Sequence, residues 1–147
     1  MTCYDEYDGC NSRVGVMTPL PPEQVTRAGE KARILNSFQV VNIPQAIQDE
    51  ITEALDSPLW DWFKDCDGCT CVSEEYWPTK YFPPCLRHDF DWFIGHGGPE
   101  SNMRFYRIQR AYGVTGVFSG IRYAGVTIAW YGFFKWRDLI WGAPGTR

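Results

Sequence analysis

Between residues 83 and 113 the chain is punctuated so closely that its backbone has few choices. Pro83-Pro84 suits the first turn of a helix, where the N–H that proline lacks has no intrahelical partner anyway. Cys85 to Ile94 follow without a breaker, and Gly95-His96-Gly97-Gly98-Pro99 ends the run, because glycine readily takes the left-handed conformation that closes a helix. A second helix starts at Pro99 or Ser101 and runs to Tyr112, with Phe105, Ile108 and Tyr112 on one face and Gly113 as its stop. The sequence thus predicts two consecutive helices, at about 85–94 and 100–112.

The flanking segments read less sharply. Residues 1–22 form an N-terminal arm that only its cysteines could tie down, and 23–147 a single helical domain. A short helix follows the arm. Pro44 opens the next, in which Ile47, Ile51 and Leu55 recur every four residues as a packing face, and Pro58 stops it. Residues 59–84, with Trp60, Trp62, Tyr76, Trp77 and Tyr81 among prolines and cysteines, read as a long aromatic loop, and loops of that length are commonly functional.

Downstream, 114–134 carries a single charge, Arg122, with Gly116, Gly120 and Ala124 at four-residue spacing. This predicts a third helix, at about 114–137, buried and using its small residues for close packing. The run approaches the length a bilayer needs and is followed by Lys135-Trp136-Arg137, but a central arginine and several glycines argue against a span. The fold class is therefore mainly α. With 147 residues, 44% of them hydrophobic, the chain can bury a substantial core.

Residues 1–98 carry 7 Lys/Arg against 16 Asp/Glu, whereas 99–147 carry 7 against 2. Arg104, Arg107 and Arg110 fall every three residues, a drifting helical stripe suited either to solvent or to an anionic partner such as lipid. Overall acidity and the lack of a recognition motif argue against nucleic acid, so no nucleic-acid partner is expected. The six cysteines fit either disulfides or a metal site. No signal peptide is visible, since Met1 to Asp8 is polar and acidic.

The residues best suited to chemistry are His88 and Asp89, in Cys85-Leu86-Arg87-His88-Asp89-Phe90, downstream of an Asp67-Gly68-Cys69-Thr70 turn. Neighbours on a helix point about 100° apart, so the two cannot hydrogen-bond each other and must address different parts of one site. The imidazole suits activation of a water; Asp89, with Asp67 and backbone carbonyls, suits a hard cation such as calcium.

Asp67-Gly68-Cys69-Thr70, Phe82, Cys85-Leu86-Arg87-His88-Asp89-Phe90 and Trp92 together resemble the prokaryotic secreted phospholipase A2 pattern over about residues 60–112. The resemblance implies a phospholipase A2-like core of three helices preceded by an aromatic, Cys-rich metal-binding loop. It implies His88 as general base for attack of water on a glycerophospholipid acyl ester, calcium held by Asp67, Asp89 and the Gly68 carbonyl, and a Cys69–Cys85 disulfide. The substrate would be a phospholipid membrane surface. In place of the family's histidine-orienting Asp stands Asn102, one turn before Phe105, and in place of its usual Tyr stands Trp92. An amide accepts from an imidazole N–H without stabilising imidazolium as a carboxylate does, which implies weakened activity.

Residues 60–141 also resemble a group of tailed-phage proteins with a His-Asp-aromatic helix and a hydrophobic C-terminal helix. That resemblance implies an extracellular or virion-associated protein with other virion proteins as partners, and includes the possibility of a non-catalytic structural role. The chemical rival to calcium is a structural zinc site, for which Cys66, Cys69, Cys85 and His88 form two ligand pairs. It would consume His88 as a ligand and leave Asp67, Asp89 and Asp91 idle.

Overall fold

The computed structural model describes residues 25–67, 77 and 79–132. Among them run six helices and no strand: α1 (Arg27–Val40), α2 (Gln45–Asp56), α3 (Trp62–Asp65), α4 (Pro83–Phe93), α5 (Pro99–Ala111) and α6 (Gly116–Gly132). The chain is mainly α, as expected. The N-terminal arm, most of the aromatic loop (68–76 and 78) and residues 133–147 lie outside the described residues.

The two-helix unit forms where its punctuation places it. Pro83 and Pro84 occupy the first turn of α4. Gly95 (φ 85°) ends α4 and lets the His96 N–H donate back to the Asp91 carbonyl; Gly113 (φ 90°) ends α5 and lets the Val114 N–H reach the Gln109 carbonyl. Each left-handed glycine thereby satisfies a carbonyl that the helix end leaves over. α5 then returns antiparallel along α4. Phe82 meets Tyr112, His88 meets Phe105 and Asp91 meets Arg104, so the contacts climb one helix as they descend the other.

α2 buries Ile47, Ile51 and Leu55, the face its spacing predicts, and lies against α4. Ile34, Ile51, Leu86, Phe90 and Ile108 belong to one core, where a fully buried side chain of this size contributes about 1.5–3 kcal/mol. α1 is longer than the short helix the sequence suggests, at 14 residues, with the Thr26 hydroxyl capping it by accepting the Gly29 N–H at 3.1 Å. Its inward face mixes Ile34 and Phe38 with Glu30 and Ser37, which blurs the apolar period. Tertiary partners make that mixture tolerable. The Ser37 hydroxyl donates to the Ile34 carbonyl and accepts from the Tyr112 hydroxyl, both at 2.6 Å, and the Thr79 hydroxyl donates to Glu30 at 2.9 Å.

An ion network joins α2, α4 and α5. Arg87 donates from Nε and Nη2 to Asp91 Oδ1, at 3.1 and 3.0 Å, and from Nη1 to the Glu50 carbonyl and the Glu53 carboxylate. Arg104 donates to Asp91 Oδ2 at 2.6 Å and to Glu50 Oε2 at 2.9 Å, and Arg107 approaches Glu50 at 3.3 Å. The arginine stripe is therefore neither a plain solvated face nor a free anion-binding one: Arg104 and Arg107 are turned to internal carboxylates, and Arg110 donates to the Val114 carbonyl. Asp91, grouped by sequence with the calcium-like acids Asp67 and Asp89, is buried and belongs to this network instead.

α6 departs from expectation in its surroundings. It runs antiparallel to α5, with Gln109 meeting Arg122, Tyr106 meeting Tyr123 and Gly98 meeting Trp130. Yet it fully buries Ser119 alone, and neither Gly120 nor Gly125 has an atom within 4 Å of where a Cβ would stand. Gly120 and Gly125 thus do not serve close packing: among the described residues, α6 packs along one side only, on α5. No helix among the described residues is long and apolar enough to cross a membrane.

Candidate functional site

His88 and Asp89 diverge as adjacent helical residues must, His88 toward α5 and Asp89 toward the chain leaving α3. The His88 ring lies between two aromatic groups, with centroids 4.6 Å from Phe105 and 5.4 Å from Trp92. Its Nε2 is 2.9 Å from Asn102 Oδ1. An amide oxygen only accepts, so Nε2 carries the proton and the ring's lone pair resides on Nδ1.

That tautomer is the one a general base needs, with one nitrogen anchored and the other able to take a proton. Burial among the aromatic rings pushes the His88 pKa below its ordinary value, and the Asn102 hydrogen bond and the charge of Asp91 pull against that shift. The ring is therefore neutral at physiological pH. Asn102 is itself fully buried, and its Nδ2 has no hydrogen-bond partner.

Spacing alone left the aromatic surroundings of His88 undecided. Phe90 is core, Phe93 is exposed beside Trp60, and Trp92 stands between His88 and Trp130, 5.7 Å from the latter. The turn after α4 closes over this group: a Cβ on Gly97 would come within 2.9 Å of the Trp92 ring, and one on Gly98 within 3.4 Å of Trp130. The sequence reads those two glycines as a helix stop; their second role, making room for two indoles, depends on where the fold brings Trp92 and Trp130.

Asp89 Oδ2 accepts the backbone N–H of Asp67 at 2.9 Å and the Cys66 thiol at 3.4 Å. The helix carboxylate and the loop that carries Asp67 therefore come together, as a shared cation site requires. The Asp67 side chain is exposed. Gly68 and Cys69, the other predicted participants of the loop, lie outside the described residues. Cys85 is disulfide-bonded, and Cys66 is buried.

Two carboxylates at a loop mouth are hard oxygen donors and fit calcium in kind, with backbone carbonyls completing such a set. Among the described residues no group of three or more His, Cys, Asp and Glu side chains gathers in metal-binding range, whether of the calcium set or of the zinc quartet, whose Cys69 lies outside the described residues. Cys85 is engaged in its disulfide and His88 Nε2 in its bond to Asn102.

The chain matches no protein-family model, no curated protein and no solved structure.

Proposed function

We propose that the chain is a calcium-dependent, phospholipase A2-like hydrolase of glycerophospholipid acyl esters, with slow turnover. The observation that carries the reading is the Nε2···Oδ1 bond from His88 to Asn102, which leaves Nδ1 as the basic atom on the helix whose next residue, Asp89, meets the Asp67 loop. In the reaction His88 Nδ1 takes a proton from water as the water oxygen attacks the ester carbonyl. The tetrahedral intermediate then collapses, the C–O bond to the glycerol breaks, and the same proton passes to the leaving lysophospholipid oxygen. Asp67, Asp89 and the Gly68 carbonyl would hold calcium, which would supply stabilisation of the developing oxyanion and of the phosphate.

Asn102 sets the rate. In a Ser-His-Asp triad, exchanging the carboxylate for an amide costs about 10⁴ in rate because it imposes the wrong tautomer. Here the amide presents its oxygen, which preserves the useful tautomer and forfeits only the charge that would stabilise imidazolium. The same amide favours a second reading, a non-catalytic interaction protein on this frame, extracellular or virion-associated.

Fatty-acid release from mixed phospholipid vesicles, with calcium and with chelator, separates the two. Hydrolysis lost with chelator or with His88→Ala and raised by Asn102→Asp supports the enzyme. No release by any of these folded proteins assigns the non-catalytic role.

A further inference from the structure

α6 turns a mixed face inward, with Tyr123, Val126 and Trp130 beside Ser119, Arg122 and Thr127, and an apolar face outward, where an ordinary surface helix is polar. Ser119 is buried, Arg122 donates to Gln109 Oε1, and the Thr127 hydroxyl is buried, all on the side toward the protein. The outward side carries Val117 (70% exposed), Phe118, Ile121 (61%), Ile128 (72%) and Tyr131, with Ala124, Gly125 and Gly132 between them. At 100° per residue these positions fill one continuous arc of about 140°. It holds no charged side chain, and exposed apolar surface so continuous marks an interaction site.

We propose that this arc docks α6 flat on an anionic lipid surface, with its apolar side chains in the boundary between headgroups and acyl chains. Two features favour lipid over a second copy of the chain. A two-helix seam needs a narrower stripe, and its pairing is ordinarily specified by charged residues along both borders, whereas α6 has Arg122 at one border, over the Phe118 ring, and none at the other. The charge flanking the arc in sequence is also mostly of one sign: residues 99–147 carry seven Lys/Arg against two acids, Glu100 and Asp138. Arg104 and Arg107 are matched by internal carboxylates, but Arg110, Lys135 and Arg137 add cationic charge before and after α6, complementary to anionic headgroups.

Docking of this kind adsorbs the chain without spanning the bilayer, consistent with a helix of 17 residues, about 25 Å long. The inference concerns adsorption alone and does not require an ester to be cleaved.

The test is flotation of the full chain, in chelator, with vesicles of phosphatidylcholine and phosphatidylglycerol in equal parts and of phosphatidylcholine alone. The expected result is binding to the anionic vesicles, weakened about tenfold or more by Ile121→Glu and by Ile128→Glu. Leu59→Glu, which makes the same charge change at an exposed apolar residue outside α6, should float as wild type. Circular dichroism and two independent α6 variants guard against a folding defect. Absence of wild-type binding, or equal binding by all variants, overturns the proposal. So does a concentration-dependent dimer that Ile121→Glu dissociates while no protein floats, which would assign the arc to a second copy of the chain. Fatty-acid release is not read, so loss of the hydrolase reading leaves this result standing.

Discussion

His88 Nε2 and Asn102 Oδ1 stand 2.9 Å apart across the antiparallel α4–α5 pair, joining an imidazole to a neutral amide that is itself fully buried. The ring is thereby oriented and held in one tautomer without receiving a compensating charge. Asn102→Asp should raise the His88 pKa, because a carboxylate favours the imidazolium that burial disfavours. Titration of the His88 ring protons by NMR checks this. A pKa unchanged or lowered in the variant would show that the two side chains do not share the bond.

The same depressed pKa makes stability depend on pH. The unfolded chain takes up a proton near the ordinary histidine value of 6.5, while the folded chain resists it until lower pH. Between those two values the unfolded state binds more protons, so stability is fully present above 6.5 and declines as pH falls toward the folded pKa. Urea midpoints measured through that window should fall on acidification in the wild type. The decline should be shallower in His88→Gln.

Glu30 should give the opposite slope. Burial raises its pKa above the ordinary 4.5, against the Thr79 hydrogen bond and the charge of Arg33. The folded state therefore holds the proton to higher pH than the unfolded one. Its contribution is fully present below 4.5 and is lost as pH rises through the folded pKa. Glu30→Gln keeps an acceptor for the Thr79 hydroxyl and should gain stability relative to wild type as the pH is raised from 4 toward neutrality (about the span over which such shifts act).

Gly97→Ala would bring a Cβ within 2.9 Å of the Trp92 ring, so the indole or the turn must move. Because Trp92 packs on His88, the expected outcome is a changed Trp fluorescence spectrum together with displaced His88 ring resonances, at a stability cost of about 1–3 kcal/mol for overpacking. Chemical denaturation and NMR measure the two effects. Unchanged His88 resonances would uncouple the turn from the site.

Removing Asp91 leaves Arg87 and Arg104 without the carboxylate they share. Asp91 and Arg87 are both buried, so Asp91→Ala should cost about 3–5 kcal/mol. Arg107→Ala, which breaks a half-exposed contact of 3.3 Å to Glu50, should cost no more than about 1 kcal/mol. Comparison of the two in urea tests whether the network is a structural tie or an ornament of the surface.

The local grammar of the chain determined its helices. Pro83-Pro84, Gly95 and Gly113 set the bounds of α4 and α5 through φ restraint and left-handed closure, interactions that span a few residues and can be read from them. The four-residue spacing of Ile47, Ile51 and Leu55 likewise fixed the buried side of α2. That His88 and Asp89 must diverge followed from helical geometry, and the resemblance to the phospholipase A2 pattern singled out Asn102, one turn before Phe105, as the residue to meet the ring.

Tertiary structure decided what each face meets, because that depends on partners distant in sequence. The stripe of Arg104 and Arg107 is consumed by Glu50, more than fifty residues away, so regular spacing gave no sign of its neutralisation. Asp91 differs from Asp89 by two positions, which on a helix turns it to another side and from the loop mouth into a buried ion network. α6 shows the same limit in reverse. An apolar run with a single charge reads as buried whichever way it points, whereas among the described residues α5 lies along one side of it and the other side is exposed.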